Sequence, residues 1–377
     1  MNEAPAPDTP FRAPAQALIV ASVALMPLIF FVGLAVQVLN VGFGLWFTEV
    51  FVFLGLSWIV LRVSGRDPVG YPGLRLPRPR AAAYAVTLGV VNLFGIAVPL
   101  LFLAQQVFPQ SWVETFEGAR VFRDRTPAET ALIVSGVIVA APLCEEYFFR
   151  GVLQRALIEA RLRAAWAVAI ASIVFSAIHV DPVGFVARLE LGILFGWLFW
   201  RTGSVWPGML AHAANNATTT ALWFLQGGEA GEAERLAPAE AAASVALYAA
   251  IGVPAFLALL RAPARWPALL ERRQLEERPL PSIGFLRAAR PWALAALTSL
   301  AVLFVIDPRG VAVNWAELLH PIPRTLPSDS PERRELRELK RRARAGEVPV
   351  SEYRSRLREL SQGGTPTPPT PAPSLRP

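Results

Sequence analysis

The chain has 377 residues, 54% of them hydrophobic and 17% charged, with a mean hydropathy of +0.41, which is too apolar for a soluble protein of this size. Its formal charge of +7 comes from basic residues between the apolar runs and in the tail, so nucleic-acid binding is not the natural reading and membrane topology is. The single cysteine, Cys144, excludes an intramolecular disulfide and a cysteine-based metal cluster, and reads as a packing residue. The expected fold is all-α, a polytopic transmembrane helical bundle of about eight or nine spans.

In chain order, residues 1–125 read as N-terminal transmembrane helices. The first 14 residues are Pro/Ala-rich and lack the basic start of a signal peptide. Residues 15–39 and 41–63 are apolar runs long enough to cross hydrocarbon, joined by a tight turn at Asn40. Arg62, Arg66, Arg75, Arg78 and Arg80 then place the next loop, and with it the N-terminus, in the cytoplasm by the positive-inside rule. Residues 81–103 form a third span. Residues 105–125 mix Glu114, Glu117, Arg120, Arg123 and Arg125 with Trp112 and Phe116, as an interfacial segment does.

Residues 126–226 read as a core. Thr126-Pro127-Ala128-Glu129 predicts a capping box opening a fourth helix. Pro142 inside it cannot donate to the carbonyl of Ile138, which predicts a kink just before Glu145. Arg155, Arg161 and Arg163 end the helix on the basic side, and residues 164–179 return as the fifth span. With the turn at Leu162, Glu145 and His179 are each 17 residues from it, so they are expected to meet at one height on antiparallel helices. Residues 186–200 form the sixth span, with Gly192 and Gly196 spaced for close helix contact, and residues 208–226 the seventh, after a turn at Gly203.

Residues 227–325 add transmembrane helices and a cytoplasmic loop. They comprise an acidic, Gly-rich external loop (227–240), an eighth span (241–260), a basic segment (261–290) and a short ninth run (291–306). Nine crossings leave the C-terminus outside, whereas the Arg-rich tail favours the cytoplasm, so one run is expected not to cross. Residues 326–361 predict a charged two-helix hairpin, with Leu336, Leu339, Tyr353, Leu357 and Leu360 as its apolar positions around a turn at Gly346-Glu347-Val348-Pro349. Residues 362–377 are Pro/Thr-rich and expected to be disordered.

The chemistry concentrates in residues 143–156, where Glu145, Glu146 and Arg150 interrupt an apolar helix at about 2.5–3.5 kcal/mol each. Glu146 and Arg150 share a face at i,i+4 and can pair, leaving Glu145 available as a general base. Two of the three histidines, His179 and His212, fall at similar depth, and His212 and Asn216 share a face. Together these describe water attack on an amide, with His212 and Asn216 offering donors to an oxyanion. The plainer readings are an ion pair that only holds the fourth helix, a hydrogen-bonded interface histidine at 179, interhelical contacts for Asn215 or Asn216, core packing for Phe175, and an incidental His320.

Glu145-Glu146-x-x-x-Arg150, Phe175-x-x-x-His179 and His212-x-x-x-Asn216 resemble the three-motif signature of the intramembrane CAAX-protease and bacteriocin-processing (CPBP, or Abi) family. The words Phe149-Arg-Gly-Val-Leu-Gln154 and Thr202-Gly-Ser-Val-Trp-Pro207 are also similar, and the resemblance spans residues 129–225. It implies a CAAX-protease-like core and a membrane-embedded endopeptidase acting on a membrane-associated peptide or protein. In it Glu145 with His179 activates water, His212 and Asn216 stabilise the oxyanion, and Glu146, Arg150 and Phe175 support the site. Members are commonly classed as metalloproteases, and Glu145, His179 and His212 are the zinc candidates. They either hold zinc with an open position or act without metal, since the chain has no His-Glu-x-x-His motif.

The implied partners are a peptide or membrane-protein substrate and membrane lipid, with oligomeric state open. The expected location is a bacterial plasma membrane, with the site near the cytoplasmic side. The alternatives are a non-catalytic scaffold or bacteriocin self-immunity protein, and more remotely a transporter, because intramembrane carboxylates also line ion paths.

Overall fold

The structure is a computed structural model and describes residues 13–122, 125–226, 237–270, 280–322, 326 and 330–361. The expected disordered tail lies outside the described residues, as does most of the acidic loop. Among the described residues there is no strand, and nine helices run back and forth between two ends of a bundle. They are α1 (Ala15–Leu39), α2 (Val41–Val63), α3 (Pro79–Val107), α5 (Pro127–Glu159), α6 (Ala164–Ala177), α7 (Phe185–Thr202), α8 (Trp206–Leu225), α9 (Pro238–Arg265) and α10 (Phe285–Ile306). Six of these, α1, α2, α3, α5, α9 and α10, are long and apolar enough to cross a membrane. The short α4 (Gln110–Thr115) follows α3.

Local chemistry sets the turns. Asn40 leaves the helical path with extended backbone, and its side chain accepts from the N–H of Phe43 at 2.9 Å, closing α1 and capping α2. Gly203, at φ +69°, ends α7 in the left-handed region that favours glycine. At the start of α5, Thr126 accepts from the N–H of Glu129 at 3.2 Å, but the Glu129 carboxylate turns to Arg125 and Arg344 instead of reaching back. Only half of the expected capping box therefore forms.

The two ends differ in charge. At the basic end the Arg-rich loop after α2 meets the α7–α8 turn, with Ser204 Oγ donating to the Arg75 carbonyl at 2.7 Å, and the N–H of Ile283 donating to the Arg62 carbonyl at 3.3 Å. At the other end Asn40 donates to Asp307 at 3.0 Å, so α1 and α10 finish on the same side. The ninth run is long enough to cross: its helix begins at Phe285, six residues before Pro291, and reaches 22 residues.

The C-terminal helices consequently sit opposite the Arg-rich loops, contrary to the expectation of a tail on the basic side. They are α11 (Pro308–Leu319), α12 (Pro331–Ala345) and α13 (Val350–Ser361). Leu336, Tyr353 and Leu357 bury against Val313 and Ala316, with Leu339 and Leu360 packed alongside, and Gly346 turns the hairpin at φ +80°. Asn314 donates to the Leu39 carbonyl at 2.8 Å, and Arg344 pairs with Glu129 at 2.9 Å. The charge rule does not reach the hairpin, because it counts Lys and Arg within about 15–20 residues of a span's end and the first arginine of α12, Arg333, lies 27 residues beyond Ile306.

Candidate active site

Glu146 and Arg150 are fully buried on α5 and joined at 2.9 Å. A buried pair of this kind is tolerated only where its remaining hydrogen-bonding capacity is used. Arg150 meets that condition in part by donating to the Gly192 carbonyl at 3.1 Å, while Gln154, one turn on, donates to the Gly196 carbonyl at 2.9 Å. Two i,i+4 pairs on facing helices are thus in register. The glycines permit it, because a Cβ at 192 would lie 2.9 Å from the Ser172 Cβ and one at 196 would lie 2.7 Å from Gln154 Oε1. The guanidinium also lies 4.5 Å from the centre of the Phe175 ring.

His212 of α8 stands between the two glutamates. Its Nδ1 is 3.2 Å from Glu146 Oε1, and its Nε2 is 4.0 Å from Glu145 Oε2. A carboxylate paired with Arg150 accepts, so Nδ1 carries the proton and Nε2 presents a lone pair toward Glu145. Phe195 stacks on the imidazole with centroids 4.9 Å apart, and Phe175 meets it edge-on at 5.9 Å. The ring of Phe175 thus touches Arg150, His212 and His179.

His179 is placed differently from the expectation. Helix α6 ends at Ala177, two residues short of it, so the equal count from Leu162 no longer implies equal height. Its Nδ1 bonds the Phe175 carbonyl at 2.8 Å, and its ring lies 5.2 Å from that of Phe175. Among the described residues it shares no hydrogen bond with Glu145. The structure brings Glu145, Glu146, Arg150, Phe175 and His212 together, with His179 against Phe175 and in electrostatic reach of His212.

Asn216, one turn beyond His212, donates to the Val137 carbonyl at 2.8 Å. Around residues 136–140 helix α5 widens into a π-turn, where the N–H of Ala141 reaches back to the Gly136 carbonyl. The next residue is Pro142, which has no N–H, so Val137, and not only Ile138 as expected, lies within reach of a missing donor. The Asn216 side chain supplies one. Asn215 beside it donates to Asn216 Oδ1 at 3.2 Å.

Glu49 is a residue that the motifs pass over. It lies on α2 within a π-turn packed against the Ala141–Glu146 segment, is 3% exposed, and interacts electrostatically with Glu145. Its signal in the chain is plain: a lone carboxylate inside an apolar span marks a working site by default. The zinc candidates do not close into a donor set, since no three His, Cys, Asp or Glu side chains among the described residues are arranged to hold a metal ion. No step is therefore derived through a metal.

A cavity of about 550 Å³ adjoins the site at the end opposite the Arg-rich loops. Asn215, Asn216 and Val137 form its inner wall, Asp181 and Arg188 lie at its side, and α4 with the short helix Gly118–Phe122 covers it. The segment expected to lie at the interface therefore roofs a cavity.

Fold and site together define an integral helical membrane protein with a buried carboxylate–histidine–arginine cluster. Residues 127–218 match the family model described as Type II CAAX prenyl endopeptidase Rce1-like, which places that segment in the CAAX-protease family, a family of proteases. No curated protein and no solved structure matches the chain.

Proposed function

We propose that the protein is a membrane-embedded endopeptidase in which Glu145 and His212 activate a water for attack on a peptide bond. The observation that carries this reading is the 4.0 Å separation of Glu145 Oε2 and His212 Nε2, two groups with no closer partner to each other's facing atom. That gap suits one water hydrogen-bonded to both, at about 2.8 Å from each. Glu146, held by Arg150, fixes the His212 tautomer so that the lone pair faces the water. Attack moves the water's proton to Glu145, which then delivers it to the leaving amine.

With Nε2 as an acceptor, His212 aids the water, and the oxyanion falls to Asn216, which gives one N–H to the Val137 carbonyl and has a second to offer. His179 serves as a positioning residue through Phe175. The substrate is a peptide or membrane-protein segment.

The second reading is a non-catalytic scaffold or immunity protein, in which Asn216 serves only to satisfy the Val137 carbonyl. Comparing the membrane and secreted peptidomes of cells carrying wild type and Glu145→Gln at matched expression separates the two. Substrates that accumulate uncut in the variant support the peptidase, and identical profiles alongside a phenotype for deletion of the gene overturn it.

A further inference from the structure

We propose that the cavity beside Asn216 binds an extended, apolar stretch of peptide backbone, held by Asn215 and Trp223 beneath the cap formed by α4 and Gly118–Phe122. The proposal rests on the peptidase reading for the fate of the peptide, not for its binding.

The walls are largely apolar, with Leu93, Ala97 and Leu101 from α3 and Val113 and Phe116 from the cap. Within this lining, three buried polar atoms have no hydrogen-bond partner among the described residues: Asn215 Oδ1, Trp223 Nε1 and Arg188 Nε. Asn215 is 7% exposed; its amide gives one N–H to Asn216, and its buried oxygen is the atom left without a partner among the described residues. The set contains one acceptor and two donors. A hydrocarbon chain lodged here would satisfy none of them, whereas an extended peptide presents N–H and C=O groups in alternation and can satisfy both kinds.

The spacing supports the same occupant. Asn215 and Trp223 are eight residues apart on α8, about 12 Å by helical rise, which an extended chain covers in about four residues. Arg188 is paired with Asp181 at 2.8 Å, so the flank of the cavity is charge-balanced and does not select a charged side chain. The cap is clasped from above: Phe122 stacks on Trp223 with ring centroids 4.8 Å apart. At its inner end the cavity reaches Asn216, one turn of α8 from His212, so a peptide lying along α8 is directed at the gap between His212 and Glu145.

The test uses the full chain in lipid nanodiscs carrying Thr219→Cys, an exposed cavity position, with the native Cys144 buried as an unreactive background. The probe is an acetylated, amidated hexapeptide of alternating alanine and leucine, compared with its backbone N-methylated form and with farnesol. The peptide is expected to slow maleimide labelling of Thr219→Cys by about tenfold, while the other two leave it unchanged. Asn215→Ala and Trp223→Phe should each raise the half-protecting concentration by about tenfold, and the N-methylated probe repeats the test without altering the fold.

Equal protection by farnesol, or by the N-methylated peptide, overturns the proposal in favour of a hydrocarbon-binding cavity. So does the absence of protection by the peptide. Repeating the labelling with Glu145→Gln separates the two readings. Protection in that variant, with no cleavage by wild type, removes the peptidase and keeps the binding site; cleavage by wild type without protection does the reverse.

Discussion

Asn216 donates its side-chain N–H to the carbonyl of Val137 at 2.8 Å, at the place where Pro142 withholds a main-chain donor from α5. A residue of the third motif thus also repairs a defect in the helix that carries the candidate base, Glu145. The two duties fall on one NH2 group: one N–H is held by Val137 and the other is left for an oxyanion.

A double-mutant cycle separates these duties. Asn216→Ala orphans a buried carbonyl and should cost about 1–3 kcal/mol of stability as well as activity. Pro142→Ala supplies an N–H that can take up that carbonyl, so the double variant should regain much of the stability. It should not regain activity if Asn216 is the oxyanion donor. Thermal unfolding, followed by thiol-dye labelling of the buried Cys144, and turnover on one preparation give both readouts. Recovery of activity together with stability would assign Asn216 a purely structural role.

The two neighbouring glutamates should behave oppositely. Among the described residues Glu145 makes no side-chain hydrogen bond, and His212 Nε2 stands 4.0 Å from its Oε2, so Glu145→Gln should leave the unfolding temperature nearly unchanged while removing turnover. Glu146→Gln breaks a fully buried ion pair and strands Arg150, at a cost of about 3–5 kcal/mol, so that variant should unfold early or fail to accumulate. If Glu145→Gln destabilises as much as Glu146→Gln, the division between a working and a supporting carboxylate is wrong.

What the chain made legible were relations carried by helical spacing. Glu146 with Arg150 and His212 with Asn216 are i,i+4 pairs, and each pair lies on one face as the period requires. The expected meeting of Glu145 and His179 rested on an unbroken helix through residue 179, whereas α6 stops at Ala177. Glu49 could be flagged as a carboxylate in a span, but its nearness to Glu145 depends on how α2 docks against α5, which no local pattern encodes. The same holds for Asn216 and Val137, 79 residues apart. The motif residues are thus readable one helix at a time, while their partners belong to the packing.

Metal dependence has a direct test. Since no three donor side chains among the described residues are arranged around one point, activity in the purified protein should survive 1,10-phenanthroline and EDTA, and zinc should be well below one equivalent by elemental analysis. Loss of turnover on chelation with recovery on adding zinc would show that Glu145, His179 and His212 rearrange to form a site, and would replace the water held by Glu145 and His212 with a metal-bound one.

The C-terminal hairpin provides the last prediction, because charge and contact disagree about its side. Its arginines alone would draw it to the face of the Arg-rich loops, yet Arg344 is paired with Glu129 at the first turn of α5, and Asn314 is bonded to Leu39 at the end of α1. Both anchors lie at the other end of the bundle, and Leu336, Tyr353 and Leu357 are buried there. An arginine in a short loop next to a span counts toward topology, whereas those of the hairpin begin at Arg333, 27 residues past the end of α10, and count for much less. A membrane-impermeant maleimide applied to one side should therefore label either Leu76→Cys, in the Arg-rich loop, or Ser361→Cys, at the end of α13, but not both. Labelling of both from the same side would remove one crossing from the bundle and detach the hairpin from α5. Arg344→Ala tests the anchor itself: it strands Glu129 beside Arg125 alone and should loosen α12 and α13, seen as faster hydrogen exchange in residues 331–361 with the site residues unaffected.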